Sequence, residues 1–254
     1  MNLSKTTLKF ALVSVFLAAP LLFSGCDELK SAHKSQQFAN SIKKQINSDE
    51  FKYSQFITYY YLNPQSSELI PHLQYFLNKD DWVENREYQS IEIHFYAAAI
   101  NHSRNKTQLL DELYKLDSQY SGAKQQIIKS IIGESNNFIS PQATSDTNFD
   151  LLWIEFMATG EDLPVKKIAG FLKTTNDKDN YNIILLGAAE WSLASNATQH
   201  HKVYVILQEL ASSSQGIMKK RLQKILSDPR GVATSLDKTS IKPHDFENFK
   251  KLVW

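Results

Sequence analysis

One glutamate in this 254-residue chain, Glu134, stands where a catalytic acid could act. It follows an apolar helical pattern and opens a stretch rich in serine, asparagine and threonine. A carboxyl group in a dry cleft has a raised pKa and can protonate a glycosidic oxygen at neutral pH. The simpler interpretation, which we favour, is that Glu134 and Ser135 end a helix in a polar linker.

The segment 133–145 resembles the catalytic segment of lytic transglycosylases, a family that includes envelope lipoproteins with a helical superstructure. Glu134 and Ser135, then Phe138 and Pro141, follow the family's order of residues. One extra residue precedes Phe138 and another precedes Pro141, and the family's Gly-Leu-Met-Gln segment is absent. The resemblance implies peptidoglycan processing with Glu134 as the acid, which we keep as the alternative function.

The other reactive side chains do not form a site. His94 and His102 lie two turns apart on one predicted helix, and the adjacent His200 and His201 point about 100° apart, so neither pair can share a metal ion. We expect capping or surface histidines. A single cysteine, Cys26, excludes a thiolate zinc site, and no nucleophile elbow or glycine-rich phosphate loop occurs. The sequence therefore predicts no catalysis, no metal and no cofactor.

The first 26 residues have the three parts of a secretory signal. Lys5 and Lys9 give a positive start, an apolar run follows over 10–23, and small residues lead to Cys26. The run is too short, at about 1.5 Å per residue, to cross a bilayer core of about 30 Å comfortably. We therefore predict export rather than a transmembrane anchor.

The end of this signal resembles the lipobox of bacterial lipoproteins, with Phe23 where leucine is commonest. The resemblance implies that residues 1–25 are removed and that Cys26 carries three acyl chains, enough for stable membrane attachment. No second cysteine is present to pair with it. Asp27 implies retention at the inner membrane, with the outer membrane as the alternative. The expected location is the cell envelope, facing the periplasm.

Composition restricts the partners of the mature chain. The whole chain has 28 basic and 27 acidic residues, and removal of Lys5 and Lys9 leaves 26 basic residues. A nearly neutral body has no electrostatic basis for binding nucleic acid. Only 8 glycines and 7 prolines argue against a turn-rich β protein and favour long helices.

Helical periodicity recurs along the mature chain and predicts an all-α fold of stacked antiparallel helices, an α-solenoid or repeat-like bundle. The helix pairs 149–173 and 181–210 have the size of tetratricopeptide units, although that consensus is not matched in register. The predicted organisation is a stalk or first helix over 26–48, a first helical half over 49–136, a linker over 137–148, a second half over 149–228, and a polar tail with a short terminal helix over 229–254.

Individual elements carry their own predictions. Gly133 and Gly160 are expected to end helices. The segment 183–194 is apolar almost all round, so we expect its helix at the centre of the second half. Within it, Glu190 is expected to pair with a lysine of a neighbouring helix or to face a groove.

Aromatic residues crowd the stretch from Tyr53 to Tyr61. Tyrosines are common at protein interfaces, so Tyr53, Tyr59 and Tyr61 are candidate binding residues. The helical spacing of Tyr53 and Tyr60 favours burial in the core instead. Both interpretations stay open at this point.

The segments 153–160 and 189–197 are similar to segments of uncharacterised helical envelope proteins of bacteria, a likeness that implies no activity. Helical stacks offer extended binding surfaces without catalytic residues. We therefore predict an envelope lipoprotein that binds a protein partner as a scaffold, an assembly factor or an immunity-type protein. A small-molecule binder, with an apolar pocket between the halves, is a further alternative.

Overall fold

A computed structural model describes residues 48–174 and 180–239 of the chain. The described part consists of twelve α-helices and two 3-10 turns without any β-strand, which confirms the all-α prediction. The predictions for the leader, Cys26, Asp27, the stalk up to residue 47 and the short helix ending at Trp254 lie outside the described residues. None of the described helices combines the length and the apolar character that a membrane crossing needs.

The chain divides into two compact units at Tyr59/Tyr60. The described part of the first unit is α1 (Asp49–Tyr59), in which Tyr53 and Ile57 are buried. The second unit begins with a 3-10 turn (Tyr60–Leu62) and then contains α2 (Ser66–Leu77), α3 (Asp80–Val83), α4 (Arg86–His102), α5 (Lys106–Asp117), α6 (Gly122–Asn136), α7 (Asp146–Thr159), α8 (Asp162–Gly170), a 3-10 turn (Phe171–Lys173), α9 (Asn180–Gln199), α10 (His201–Ser213), α11 (Gly216–Ser227) and α12 (Pro229–Thr239).

Helix α4 is the element around which the first part of the second unit packs. The Asn85 side chain caps its start by accepting hydrogen bonds from the backbone N–H groups of Glu87 and Tyr88. Its residues 95–100 are all buried, so α4 has neighbours on several sides. It packs against both α6 and α7. The second unit is therefore continuous across the segment 137–145, which contains no helix and occupies most of the predicted linker.

Helices α7 to α12 share an apolar core. Its largest fully buried ring is that of Phe156, which contacts Tyr61 of the preceding 3-10 turn at 4.8 Å between centroids. Gly160 ends α7 as predicted, with a left-handed φ of 68°. A Cβ atom at this glycine would lie 3.2 Å from Cβ of Tyr61, so the close approach of the 3-10 turn depends on glycine here.

Three local predictions are corrected by the structure. Gly133 does not end α6, which continues to Asn136 and closes on a non-glycine residue. The predicted polar tail forms helix α12 from Pro229, because proline suits a first helical position and the Asp228 carboxylate accepts a hydrogen bond from the Gly231 backbone N–H at 2.8 Å.

The third correction concerns α9. Leu185, Ala189 and Leu193 lie in the core as predicted, but Ile183, Ile184 and Trp191 are exposed by 51%, 44% and 38%. The described neighbours of α9 cover one side of it and leave an apolar strip on the other. Glu190 pairs with Lys224 of the neighbouring helix α11 at 3.8 Å, as predicted. It also pairs with Arg221 of the same helix, at the shorter distance of 3.3 Å.

Candidate functional site

Glu134 lies in the last turn of α6, where α6 packs against α4. Its side chain is half exposed, and its Oε2 atom is 4.0 Å from Nδ1 of the buried His94. Partial burial raises the pKa of the Glu134 carboxyl above its ordinary value. The neighbouring Ser135 is completely buried, and its hydroxyl has no hydrogen-bond partner. The glutamate singled out by the sequence thus has one face in solvent and the other against a buried imidazole.

A second carboxylate, that of Glu155 on α7, faces the opposite side of the His94 ring. Glu155 Oε2 lies 4.0 Å from His94 Nε2, which is too long for a hydrogen bond, and neither atom has another hydrogen-bond partner. Burial lowers the pKa of His94 to about 4. Burial also raises the pKa of Glu155, against the opposing effects of a Ser140 hydrogen bond, Lys167 and His102. Burial therefore shifts both residues of this pair towards their neutral forms.

Lys167 of α8 fixes the segment that joins α6 to α7. Its Nζ atom donates to the Ser140 hydroxyl at 2.7 Å, to the Ser140 carbonyl at 3.1 Å and to the Pro141 carbonyl at 2.8 Å. Three charge-assisted bonds hold this backbone more firmly than water would. The Ser140 hydroxyl and Lys167 also lower the pKa of Glu155, so the segment contributes to the environment of the buried pair.

Phe138 fixes the same segment from the other side. Its ring lies 5.1 Å from the His94 ring and 6.0 Å from the His102 ring, between the two histidines of α4. Ile139 stands between these two attachments and is 82% exposed. We call residues 137–141 the Ile139 loop. An apolar side chain is thus held in solvent by a loop that is fixed on both sides of it.

This cluster does not resemble a metal centre. Within the described ranges, no group of three or more histidine, cysteine or acidic side chains is arranged to hold a metal ion. The two carboxylates lie on opposite ring nitrogens of one imidazole, so they do not converge on a common point. Chemically, the arrangement offers one partly exposed proton donor, Glu134, and an apolar protrusion beside it.

A shallow surface depression of about 410 Å³ occurs elsewhere in the second unit. Asp80, Glu84, Tyr120 and Lys124 are among the residues that line it, and Lys124 pairs with Asp80 at 2.8 Å. Glu134 and Ile139 do not line this depression. Val83 and Ala123 are the two aliphatic residues among the eight that line it, and the depression is open to solvent, unlike the closed apolar pocket that a small-molecule binder would need.

The three candidate tyrosines occupy different environments. Tyr53 is buried with 2% exposure, and Tyr59 is partly buried. Tyr61 packs on Phe156, and its hydroxyl lies 3.0 Å from Nδ1 of His200. Tyr53 is therefore a buried residue, and Tyr61 contacts a buried ring and a buried imidazole.

The histidines also differ from the prediction. His94 and His200 are buried rather than capping or on the surface, whereas His201 is exposed. His102 fits the expectation, with Nδ1 2.9 Å from the Ala98 carbonyl. Sequence reasoning missed both His94 as the centre of a buried cluster and Ile139 as a surface residue. The available signal was the isolated apolar pair 138–139 within a polar linker.

Comparison with known proteins adds no family to this description. Neither the protein-family models, nor the curated proteins, nor the solved structures contain a match to this chain.

Proposed function

We propose that this protein is a cell-envelope lipoprotein, attached to the membrane through Cys26, whose helical body binds another protein. Three features support the proposal: the signal-like leader of the sequence, its lipobox-like end, and the packed helical architecture. The nearly neutral mature charge is consistent with a protein partner rather than a nucleic acid. Asp27 favours the inner membrane, with the outer membrane as the alternative.

The single observation that carries the binding function is the exposure of Ile139. Isolated exposed apolar residues are common on protein surfaces and require no explanation. Ile139 is different because Phe138 is wedged between two histidine rings and Lys167 binds the next two residues. A side chain presented by a fixed backbone loses little conformational freedom on binding, which is the property of a good anchor residue. The partner accordingly offers an apolar pocket wide enough for one branched side chain.

Photo-crosslinking in membranes tests this contact directly. A benzoylphenylalanine residue replaces Ile139 in one full-length protein and Tyr114, which is 56% exposed on α5, in a control protein. We expect a discrete crosslinked protein at position 139 and none at position 114. With that protein purified, Ile139→Ser should weaken binding at least tenfold, on the order of a hot-spot residue. Equal crosslinking at both positions would contradict the role of Ile139.

The location has its own test. We expect mass spectrometry of the native protein to find a mature end at Cys26 carrying acyl chains, and Cys26→Ala to leave the membrane fraction after a carbonate wash. A Cys26→Ser form provides the matched control, because it retains the size and polarity of the side chain. Membrane attachment of either variant would contradict lipid anchoring at this residue.

A second candidate function is peptidoglycan cleavage with Glu134 as the acid. The observation that favours it is the raised pKa of a half-exposed carboxyl beside a buried imidazole. Release of muropeptides by the wild type, lost in Glu134→Gln, would establish it. We expect equal, background release by the two proteins, because Glu134 sits at a helix end outside the described depression.

A further inference from the structure

Helix α11 concentrates positive charge on a chain that is otherwise nearly neutral. Its twelve residues include Lys219, Lys220, Arg221 and Lys224 and no aspartate or glutamate. The whole chain has 28 basic and 27 acidic residues, so the four positive charges of α11 are a local excess. A local excess of one sign can attract a partner that the net charge of the chain would not predict.

The lysines of α11 lie on the side of the helix that faces solvent. The other side packs on α9, α10, α12 and the 3-10 turn that precedes α9. Its buried residues are Met218, Leu222 and Ile225, which at 100° per residue fall within about 60° of one another. Lys219, Lys220 and Lys224 lie about 100° to 240° around the helix from Met218, and all three are exposed. We call these three lysines, together with the exposed Ile217, the lysine face of α11.

The one arginine of the helix is used inside the fold. Arg221 Nε lies 3.3 Å from the Glu190 carboxylate, and one of its terminal nitrogens donates to the carbonyls of Leu172 at 3.0 Å and Thr174 at 2.6 Å. A guanidinium is planar and makes directional bonds, which suits it to partners in fixed positions. Arg221 therefore does not belong to the lysine face.

The lysines, in contrast, keep their charge available to a partner. Lys224 lies 3.8 Å from Glu190, but its side chain is 60% exposed, and such an exposed pair contributes little. No acidic side chain of the described ranges forms an ion pair with Lys219 or Lys220.

The chemistry of this face favours anionic phospholipid headgroups over other partners. Lysine is a hydrated point charge on a flexible stem, and it is depleted at protein interfaces. Three lysines also neutralise few phosphates compared with the roughly 6–10 contacts of a DNA-binding protein. A layer of headgroups requires no fixed geometry, and each lysine close to it strengthens binding about fivefold. Ile217, which is 39% exposed on the same side, could reach the boundary between headgroups and acyl chains.

We propose that the lysine face of α11 docks on a membrane surface that contains anionic phospholipids. The choice of a membrane rests on the proposed function, because a lipid anchor at Cys26 keeps the helical body near the headgroups. The charge complementarity rests on α11 alone. The contact gives the protein a second attachment to the membrane, one that depends on charge rather than on acyl chains.

Quenching by labelled headgroups tests the contact. The full chain carries Cys26→Ser, so that the only thiol is that of Gln223→Cys, an exposed position among the lysines, which is labelled with a fluorescent dye. The probes are vesicles of phosphatidylcholine alone or with about one third phosphatidylglycerol, both containing nitroxide-labelled phosphatidylcholine. We expect the anionic vesicles to quench the dye and the neutral ones not to. Added salt should reverse the quenching, because it screens charges at a surface.

Two pairs of substitutions separate the lysine face from the net charge. Lys219→Gln with Lys220→Gln should raise the lipid concentration for half-maximal quenching by about tenfold or more. Lys115→Gln with Lys129→Gln changes the charge equally at exposed positions of α5 and α6, and should leave that concentration unchanged. All four lysines are exposed, so neither pair should disturb folding.

The proposal is overturned if anionic vesicles quench the dye no more than neutral ones, or if the two pairs have equal effects. Binding of duplex DNA without quenching by anionic vesicles would overturn it as well, since the partner would then be a nucleic acid. None of these results bears on the anchor, which is tested separately by the acyl chains on Cys26 of the native protein.

Discussion

Replacing Phe156 by alanine is expected to destabilise the protein by about 3–5 kcal/mol, the usual cost of removing a fully buried aromatic ring. Phe156 is completely inaccessible and contacts the rings of Tyr61, Trp153 and His200. Trp153 lies on α7 itself, Tyr61 in the 3-10 turn, and His200 between α9 and α10. Because these neighbours are held by different parts of the chain, they cannot all move into the cavity. A domain of this size is stable by only about 5–15 kcal/mol, so the loss is a large fraction of the total. Urea unfolding followed by circular dichroism measures it.

Phe171→Ala is the matched control for this prediction. Phe171 is only partly buried and packs on Phe149 at 5.3 Å between ring centroids. We expect it to cost about half as much or less, because less area is returned to water. A Phe156→Ala protein that is no less stable than Phe171→Ala would show that the apolar core of helices α7 to α12 is not organised around Phe156.

Acidification from pH 7 to pH 4 is the second large expected effect. Burial lowers the pKa of both His94 and His200 to about 4, from an ordinary value of 6.5. Between these values the unfolded chain binds more protons than the folded one, so stability falls as the pH falls. Each imidazole is expected to remove about 3 kcal/mol of stability by pH 4.

The carboxyl groups that face His94 act in the opposite direction. The pKa values of Glu134 and Glu155 are raised in the folded protein, so these groups are destabilising once ionised and favour the fold as the pH falls. The facing group of His200 is the Tyr61 hydroxyl. Burial also raises the pKa of Asp150, to about 7, so this carboxyl acts in the same direction as the two glutamates. The three carboxyl groups therefore oppose the effect of the two histidines.

The double variant His94→Gln, His200→Gln separates these contributions. Its unfolding free energy should change much less between pH 6.5 and pH 4 than that of the wild type, because the two titrating imidazoles are gone. His201→Gln provides the control, since His201 is exposed and its removal should leave the pH profile unchanged. An identical pH profile for the wild type and the double variant would contradict the burial of neutral histidines.

Much of the secondary structure followed from local patterns. The spacing of apolar residues in α7, for example, places Leu152, Trp153 and Phe156 on one face, and the structure buries all three. Such a pattern can be recognised in the sequence because side chains three or four residues apart share a face of the helix, independently of the rest of the chain. The role of Gly160 as a helix end could be predicted for a similar local reason, since the end of a helix often requires a residue in the left-handed conformation.

Contacts between distant segments could not be predicted from such local patterns. His94 and Glu155 lie 61 positions apart, and nothing in either segment indicates that α4 and α7 bring them together. The same holds for Lys167 and Ser140, whose bonds fix the Ile139 loop. Glu134 was selected from its sequence context, but its imidazole neighbour was not.

The sequence by itself determined that the chain is helical, that Gly160 ends α7, and that the leader has the composition of an export signal. Only the tertiary structure decided which side of α9 is buried, which histidines are removed from water, and that Ile139 is held in solvent. The reason is physical. Helix formation depends on residues that are near neighbours in the chain. Burial depends on which distant helices pack together, and the apolar face of one helix could pack against any of several other helices.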